Sequence, residues 1–395
     1  MGAGSGPEEP VGAEKPLLIH LVCGARPNFM KVAPLYHALS AEPWATPVIV
    51  HTGQHYDANM SGSFFSEFGL PEPHVSLGVG SGSHAEQTAK VMVAYEKVLQ
   101  EQRPDLVVVV GDVNSTMAAT LAASKLGVKV AHLEAGLRSF DRRMPEEINR
   151  LVTDVLADTL WAPSQDAVDN LLAEGIPPAR IVLVGNIMID CLEMLRDRIE
   201  LQRAYAEYGQ TPGSYAVVTI HRPSNVDDPA VLRELCGVLE GVSESIPLIF
   251  PLHPRTRQRI EADGLLSEAR GERRMFLPEP LGYTAFMGLV VNAHLVITDS
   301  GGIQEETTYL GIPCLTMREN TERPVTVTHG TNRLCAPGEL RSRVYEILED
   351  APRPVPSIEF WDGRTAERVV NAIGCEFARA GGLEGGEHGL AVLRH

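Results

Sequence analysis

Short runs of β-branched and other apolar residues alternate with helical patterns, and this alternation occurs twice along the chain. The runs begin at Leu17, Pro47, Leu106, Lys129 and Ile181, and again at Tyr215, Leu248, Leu295 and Pro313. Such alternation is typical of βαβ units, in which helices cover both faces of a parallel sheet. The sequence therefore predicts an α/β fold with two doubly wound, Rossmann-like domains.

The length of 395 residues is too great for one ordinary core and fits two large domains. We expect residues 16–190 to form an N-terminal domain and residues 191–363 to form a C-terminal domain. Residues 364–380 are predicted to be a terminal helix that packs back on the N-terminal domain. Residues 1–15 are small, acidic and rich in Pro and Gly, and residues 381–395 are rich in Gly, so we expect a disordered extension and a flexible tail.

Charge and cysteine spacing exclude several classes of protein. The formal net charge of −17 disfavours binding to nucleic acid or anionic lipid, and no apolar stretch approaches the roughly 20 residues that span a bilayer. The six cysteines lack C-x-x-C spacing, which argues against a zinc site and a disulfide framework. Together with the absence of a signal-peptide pattern at the start, these features predict a cytoplasmic protein without a metal.

The segment LVITDSGGIQEETTYLG predicts a strand, a turn at Ser300, Gly301 and Gly302, and then a helix. Two glycines let backbone N–H groups approach a ligand, Ser300 can cap the helix, and the helix dipole favours a phosphate at its N-terminus. A strand-to-helix turn without a ligand is the competing interpretation.

Charged side chains follow the predicted strands of the first half. Lys31 comes soon after the first strand, Asp112 follows LVVVV, and Glu134 follows KVAHL. Glu146 and Glu147 begin a helix that starts at Pro145. Because parallel strands end at a common edge, we expect these acids to face one crevice, although acids in a first helical turn are also ordinary dipole partners.

Two strand ends of the second half carry histidine. His221 and Arg222 follow VVTI, and His253 lies in LIFPLHPRTR beside Arg255 and Arg257. These donors suit a diphosphate, while a lone histidine is more often a structural hydrogen-bonding group.

Several long segments resemble the non-hydrolysing UDP-N-acetylglucosamine 2-epimerase family. They are GARPNFMK, HTGQHYDANMS, EAGLRSFDRRMPEEINR, VTIHRP, PLHPRTR and TDSGGIQEETTYLGIPCLTMRENTERP, and the likeness covers roughly residues 17–375. The resemblance implies a GT-B fold with two Rossmann-like domains that close over a nucleotide sugar, usually as a homodimer. Ser224 and Val325 stand where many members have Glu, which leaves the sugar and any regulation open.

The resemblance also implies roles for individual residues. Asp112, Glu134 and Glu146 would transfer protons, and His221 would lie near the diphosphate. Glu306 would reach the ribose hydroxyls of UDP, and Gln54 lies in a stretch linked to allosteric binding of UDP-N-acetylglucosamine. The remaining predicted substrate contacts are Arg26, Lys31, Arg143, His253, Ser300, Gly301 and Gly302.

The implied reaction is inversion at C2 of UDP-N-acetylglucosamine, by elimination and re-addition of UDP, in the synthesis of cell-surface polysaccharide precursors. It requires no metal or nicotinamide cofactor. Other substrates and activities stay open at this point: a UDP-linked diacetamido uronic acid, a GT-B glycosyltransferase, a hydrolysing epimerase, or a sugar-nucleotide sensor without turnover.

Overall fold

Two parallel sheets organise the chain in a computed structural model, which describes residues 15–53, 65–265, 274–350 and 354–380. The strands of the first sheet lie in the order β3-β2-β1-β4-β5-β6-β7 and those of the second in the order β10-β9-β8-β11-β12-β13. The first sheet comprises β1 Leu17–Cys23, β2 Ala45–His51, β3 Val75–Ser76, β4 Leu106–Val110, β5 Lys129–Leu133, β6 Thr159–Ala162 and β7 Ile181–Leu183. The second comprises β8 Ala216–Thr219, β9 Leu248–Ile249, β10 Met275–Phe276, β11 Leu295–Thr298, β12 Cys314–Thr316 and β13 Asn332–Leu334.

Helices connect successive strands and cover the sheets. We call the first sheet with its helices the N-terminal lobe and the second sheet with its helices the C-terminal lobe. The helices up to residue 200 are α1 Arg26–Ser40, α2 His84–Gln102, α3 Asn114–Lys125, α4 Pro145–Leu156, α5 Gln165–Ala173, α6 Ile187–Met194 and α7 Arg196–Glu200. Those that follow are α8 Pro223–Val226, α9 Pro229–Ser243, α10 Pro254–Ala262, α11 Tyr283–Val290, α12 Gly301–Leu310, α13 Val325–Thr328, α14 Pro337–Glu349 and α15 Thr365–Ala380.

The predicted fold class, two doubly wound parallel-sheet domains, is confirmed. Each predicted apolar run contains a strand, and β1 and β4 are buried over most of their length, as strands covered on both faces must be. The strands that the sequence pattern did not reveal are β3, β6, β10 and β13. These have two to four residues each and lie outside the apolar runs from which the strands were predicted.

The terminal helix α15 lies against the N-terminal lobe, where Val369 and Ile373 belong to the same buried cluster as Leu39 of α1. The Asp190 carboxylate accepts hydrogen bonds from the backbone N–H groups of Thr365 and Ala366, at 3.1 and 2.6 Å, and so caps the first turn of this helix. Lys15 is the one described residue of the N-terminal segment, and residues 381–395 lie outside the described chain. No helix among the described residues is long and apolar enough to cross a membrane.

Helix α4 is oriented against its own apolar pattern. The helical period of its apolar residues predicted the helix correctly, yet Ile148 and Val155 are exposed, whereas Arg150 and Asp154 are buried. The polar face points inward because it supplies charged partners to the strand ends of the first sheet. The fold therefore places buried charge at the edge where the predicted site lies.

Candidate active site

The carboxyl ends of the strands in the two lobes face each other, and we call the region between them the cleft. Arg150 of the N-terminal lobe lies 4.0 Å from the Glu322 carboxylate of the C-terminal lobe. Glu134 and Glu305 interact electrostatically between the lobes, as do Asp112 and Arg323. Strand-end residues of both sheets therefore form one charged site.

Glu134 directly follows β5 in the left-handed backbone conformation, with a φ of 71°. This conformation is uncommon for residues other than glycine and turns the side chain toward α1, where its Oε2 pairs with Lys31 Nζ. Both side chains are buried, and Glu134 Oε1 has no hydrogen-bond partner among the described residues. Gly111 leaves room for the pair, because a Cβ at this position would lie 2.8 Å from Lys31 Nζ.

Asp112 follows β4 and is held at two points by α4. Its Oδ2 lies 2.5 Å from Arg150 NH2, and its backbone carbonyl accepts a hydrogen bond of 2.8 Å from Asn149 Nδ2. Burial opposes ionisation of this carboxyl, but Arg150, Lys31 and Arg323 outweigh it and hold the pKa of Asp112 below its ordinary value. Asp112 is therefore a fixed carboxylate at the base of the cleft.

The two acids that begin α4 have different surroundings. Glu147 is buried and accepts hydrogen bonds from Ser139 and Phe140, besides its 2.8 Å ion pair with Arg150. Glu146 is exposed and interacts electrostatically with Arg222 of the other lobe. Glu147 thus holds the loop and the helix together, while Glu146 is available to the cleft.

In the C-terminal lobe, the buried Asp299 after β11 fixes the loop after β8. Its carboxylate accepts hydrogen bonds from the backbone N–H groups of His221 and Arg222 and from the Asn225 side chain, at 2.8 to 3.2 Å. His221 Nδ1 lies 3.3 Å from Asp299 Oδ1, and the ring is partly exposed. The predicted histidine is therefore held by its backbone at the edge of the cleft.

One buried carboxylate, Glu322, lies among four arginines. Its oxygens are 2.6 Å from Arg323, 2.8 Å from Arg318, 3.8 Å from Arg222 and 4.0 Å from Arg150. Burial raises the pKa of Glu322, but the guanidinium groups lower it far more and keep the group ionised. Arg150 also pairs with Asp112 and Glu147, and Arg323 also pairs with Glu305. Arg318 NH1, however, has no hydrogen-bond partner among the described residues, and such a guanidinium donor suits an anion.

The helix N-terminus at α12 adjoins that arginine cluster. Ser300 is the N-cap residue, but its side chain makes no capping hydrogen bond within the described chain, contrary to the expectation that it could cap the helix. A Cβ at Gly301 would lie 2.6 Å from Arg323 NH1, and one at Gly302 would lie 3.7 Å from Met188 Cε. Gly301 is therefore required for the close packing of Arg323 against the first turn.

Two buried acids follow on α12. Glu305 lies 2.8 Å from Arg323 Nε and faces Glu134 and Lys31, and burial raises its pKa to about 7 despite the arginine. Glu306 lies on another side of the helix and accepts a 2.7 Å hydrogen bond from Tyr283 Oη. Burial raises the pKa of Glu306 to about 8.

The other predicted contacts are less centrally placed. Arg143 is exposed and pairs with Asp141 at 2.8 Å, and His253 is exposed and caps α10, with its ring 6.1 Å from that of His221. Arg26 begins α1, but its side chain lies outside what the structure describes, as does Gln54 altogether.

The sequence patterns did not single out Glu305, Arg318, Glu322 and Arg323. The last three lie in the loop TMRENTERP, whose charges begin directly after β12. The same strand-end rule that identified Asp112 and Glu134 would have pointed to this loop.

Comparison with known proteins finds that the chain is similar to enzymes that act on nucleotide sugars. The family model described as UDP-N-acetylglucosamine 2-epimerase matches residues 37–374. The UDP-N-acetylglucosamine 2-epimerase of Methanocaldococcus jannaschii is 41% identical over 366 residues, which is 90% of this chain and 98% of the relative. The UDP-2,3-diacetamido-2,3-dideoxy-D-glucuronate 2-epimerase of Pseudomonas aeruginosa is 41% identical over 329 residues, covering 82% of this chain and 89% of that relative.

Solved structures share the fold. The crystal structure of the Methanocaldococcus jannaschii UDP-GlcNAc 2-epimerase in complex with UDP-GlcNAc and UDP superposes with a TM-score of 0.83 and 40% identity. The match covers 91% of this chain and 100% of that one.

Proposed function

The chain belongs to the UDP-N-acetylglucosamine 2-epimerase family, and on that premise we propose that it inverts C2 of a UDP-N-acetylhexosamine, converting UDP-GlcNAc to UDP-ManNAc. The observation that carries this proposal is the meeting of two kinds of charge in one cleft. Asp112, Glu134 and Glu146 come from the N-terminal lobe, and the arginines around Glu322 come mostly from the C-terminal lobe.

Inversion at C2 presents a specific chemical problem. The C2 proton of an N-acetylhexosamine is not adjacent to a carbonyl carbon, so a carboxylate cannot remove it from the intact sugar at a useful rate. Departure of UDP from C1 creates oxocarbenium character beside C2 and makes that proton acidic. The reaction therefore needs an anion site for the leaving diphosphate and a base for the proton.

In the proposed elimination, the bond from C1 to the UDP oxygen breaks and its electron pair leaves with UDP. The C2 proton passes to a carboxylate, and the electrons of the C–H bond form the C1–C2 double bond of a 2-acetamidoglucal. Re-addition reverses both changes, with the new proton delivered to the opposite face of C2. Atoms and electrons balance without an oxidant, so the reaction needs no nicotinamide cofactor.

Opposite faces require two acid/base groups, and we assign this pair to Glu134 and Glu146. One carboxylate oxygen of Glu134 pairs with Lys31, and the other has no hydrogen-bond partner among the described residues. This second oxygen suits Glu134 to accept a proton. Glu146 is exposed to the cleft near Arg222. Asp112 is the third carboxylate of the proposed catalytic group. Its ion pair with Arg150 suits it to remain a fixed negative charge.

The leaving diphosphate is proposed to bind at Ser300, Gly301 and Gly302, with His221, Arg222 and Arg323 beside it. The N-terminal N–H groups of α12 and the guanidinium groups would stabilise the negative charge that develops on UDP. The proposal keeps Lys31, Arg26, Arg143 and His253 as substrate contacts and Glu306 as the contact with ribose.

Exchange of the C2 proton with solvent is the most direct test. The purified protein in D₂O, given UDP-GlcNAc and no acceptor, is expected to incorporate deuterium at C2 and to produce UDP-ManNAc, as followed by NMR. Release of UDP only in the presence of an acceptor would indicate a glycosyltransferase instead. Accumulation of free N-acetylmannosamine and UDP would indicate a hydrolysing epimerase.

A UDP-diacetamido uronic acid is the second candidate substrate, because a relative named for such a sugar is as similar in sequence as the UDP-N-acetylglucosamine 2-epimerases. Both reactions use the same chemistry at C2 and differ in the substituents at C3 and C6. Deuterium exchange measured on both UDP-sugars gives the ratio of kcat/KM that decides between them.

We also propose a homodimer and a role in making polysaccharide precursors, both from the family resemblance, and a cytoplasmic location, from the cysteine pattern and the start of the sequence. Sedimentation velocity tests the assembly, and a monomer at micromolar concentration would contradict it.

A further inference from the structure

His132 is a buried residue of β5 whose two ring nitrogens both contact oxygen atoms. Nδ1 lies 2.6 Å from Asp154 Oδ1, and Nε2 lies 2.8 Å from the carbonyl oxygen of Gly111. A backbone carbonyl can only accept a hydrogen bond, so Nε2 carries a hydrogen and donates it to Gly111. The protonation of the ring then depends on what Asp154 presents to Nδ1.

Asp154 is an ionised acceptor. Its carboxylate also accepts a 3.0 Å hydrogen bond from the backbone N–H of Gly136 and pairs with Arg138 NH2 at 2.8 Å. Burial raises the pKa of Asp154, but His132 and Arg138 lower it further than burial raises it. Asp154 is thus an acceptor opposite Nδ1, and His132 bridges this buried carboxylate and the Gly111 carbonyl.

The buried charges continue to the surface. Arg138 donates to Glu174 through Nε and NH2, both at 2.7 Å, and Glu174 is partly exposed at the end of α5. A line of alternating charges thus runs from Glu174 through Arg138 and Asp154 to His132. The line ends at the carbonyl of Gly111, which belongs to the peptide that joins Gly111 to Asp112.

The Gly111 carbonyl determines where Asp112 points. Gly111 has a φ of 66°, and its N–H donates to the Leu133 carbonyl at 3.1 Å. The His132 hydrogen bond fixes the other side of this residue, and with it the plane of the peptide that leads into Asp112. Asn149 then holds the Asp112 carbonyl, so the backbone on both sides of the carboxylate is fixed.

We propose that His132 is a positioning residue that is held by Asp154, donates through Nε2 to the Gly111 carbonyl, fixes the Gly111–Asp112 peptide and thereby orients the Asp112 carboxylate. This inference rests on the proposed function for its consequence in catalysis. A histidine of the core that served only packing would need neither the buried carboxylate nor a second donor, and a buried charge pair is not in general favourable for stability.

His20 on β1 provides a matched control. It is equally buried in the same sheet, and its ring contacts Tyr95 Oη at 3.1 Å and Gln102 Oε1 at 2.9 Å. Neither partner is a carboxylate, and burial lowers the pKa of His20 to about 4. His20 therefore contacts two side chains, whereas His132 holds the backbone carbonyl of Gly111.

Nitrogen-15 NMR of the histidine rings in the whole protein tests the hydrogen bond to Gly111. His132 Nε2 is expected to carry a hydrogen and to show the chemical shift of a hydrogen-bonded donor. Assignment comes from spectra of His132→Gln and His20→Gln. A His132 ring whose Nε2 carries no hydrogen would overturn the proposal, and this result does not depend on catalysis.

The kinetic arm uses the same two variants. His132→Gln is expected to lower kcat for C2 exchange by about 10- to 100-fold, since small errors in placing a catalytic group cost that much, while the Kd for UDP stays within about twofold. His20→Gln should leave both unchanged. An equal loss of exchange in the two variants would indicate a structural role only and overturn the proposal. A loss of UDP affinity in His132→Gln as large as its loss of exchange would do the same. If the wild-type protein shows no exchange, the proposed function fails, while the NMR result still decides whether His132 donates to the Gly111 carbonyl.

Discussion

The two lobes share one architecture but arrange charge at their strand ends in opposite ways. In the N-terminal lobe, Glu134 and Asp112 each form an ion pair with a cation of the same lobe. Glu134 pairs with Lys31, and Asp112 pairs with Arg150. In the C-terminal lobe Arg222, Arg318 and Arg323 surround the single carboxylate of Glu322, which Arg150 approaches from the other lobe. The first arrangement orients individual carboxylates, and the second gathers guanidinium donors, of which Arg318 NH1 has no hydrogen-bond partner among the described residues. In the proposed reaction, similar sheets would therefore serve proton transfer on one side of the cleft and anion binding on the other.

The same difference is visible in the pKa values of acids on the two sides. Asp112 is ionised because Arg150, Lys31 and Arg323 outweigh its burial. Glu306 is buried beside Tyr283 without a cation among its pKa determinants, and its pKa rises to about 8. Asp112, on the proposed catalytic side, is thus kept charged, whereas Glu306, on the proposed anion-binding side, is kept neutral near pH 7.

The largest expected effect separates the roles of the two lobes. Glu134→Gln or Glu146→Gln should lower C2 exchange by about 10²- to 10⁴-fold, the usual contribution of a general acid or base, while the Kd for UDP changes little. Deuterium incorporation and isothermal titration with UDP measure the two quantities. Glu101→Gln, at an exposed position near the end of α2, is the control. Unchanged exchange in both catalytic variants would remove this pair from the mechanism.

The next effect concerns the neutral acid of the C-terminal lobe. The pKa of Glu306 is about 8 in the folded protein and has an ordinary value of 4.5. Between these values the native protein holds a proton that the unfolded chain has lost, so stability falls as pH rises from about 4.5 to 8 and then levels off. Glu306→Gln keeps an acceptor for Tyr283 and removes this titration, so it should lose less stability between pH 6 and pH 9 than the wild type.

Urea unfolding at the two pH values measures that difference, which we expect to be on the order of a few kcal/mol. Asp263→Asn, at an exposed residue after α10, should follow the wild type. Parallel pH dependence in Glu306→Gln and wild type would show that Glu306 is ionised when folded, and the contrast with Asp112 would not hold.

A smaller effect is expected in the arginine cluster. Arg222→Gln should weaken UDP binding by about 10- to 100-fold, because one charge-assisted hydrogen bond contributes roughly 1.5–3 kcal/mol. Exchange at saturating substrate should fall less than it does in Glu134→Gln. Arg233→Gln on the exposed side of α9 is the control for loss of charge alone. Equal losses in both arginine variants would indicate general electrostatic attraction rather than a binding site.

Sequence patterns were most informative where a residue directly follows a buried strand. Asp112 and Glu134 were predicted to share an edge because parallel strands end together, and the structure places both at the first sheet's edge of the cleft. The pattern could not tell which of the arginines Arg138, Arg142, Arg143 and Arg150 turn inward, and the structure buries Arg138 and Arg150. That choice depends on the position of α4. The helix buries Arg150 in an ion pair with Glu147, one turn earlier, whereas Arg143 precedes the helix and remains exposed in its ion pair with Asp141.

The orientation of α4 itself was beyond the sequence pattern. An apolar helical stripe normally faces the core, and here Ile148 and Val155 face outward because Arg150 and Asp154 have partners on β4 and β5. The Glu322 cluster was also missed, since its arginines come from separate segments that only tertiary folding brings together.

The smallest effect tests whether the helix N-terminus in the C-terminal lobe is kept for a ligand. Ser300 makes no capping hydrogen bond within the described chain, whereas Ser83 of the N-terminal lobe accepts one from the Glu86 N–H at 3.3 Å as part of a capping box. Ser83→Ala should therefore cost about 1 kcal/mol of stability and leave UDP binding unchanged. Ser300→Ala should change stability by less than about 0.5 kcal/mol and raise the Kd for UDP by about two- to tenfold, through loss of one neutral hydrogen bond. If Ser300→Ala instead lost stability and kept its affinity, its hydroxyl would serve the helix, and the two lobes would use their helix N-termini alike.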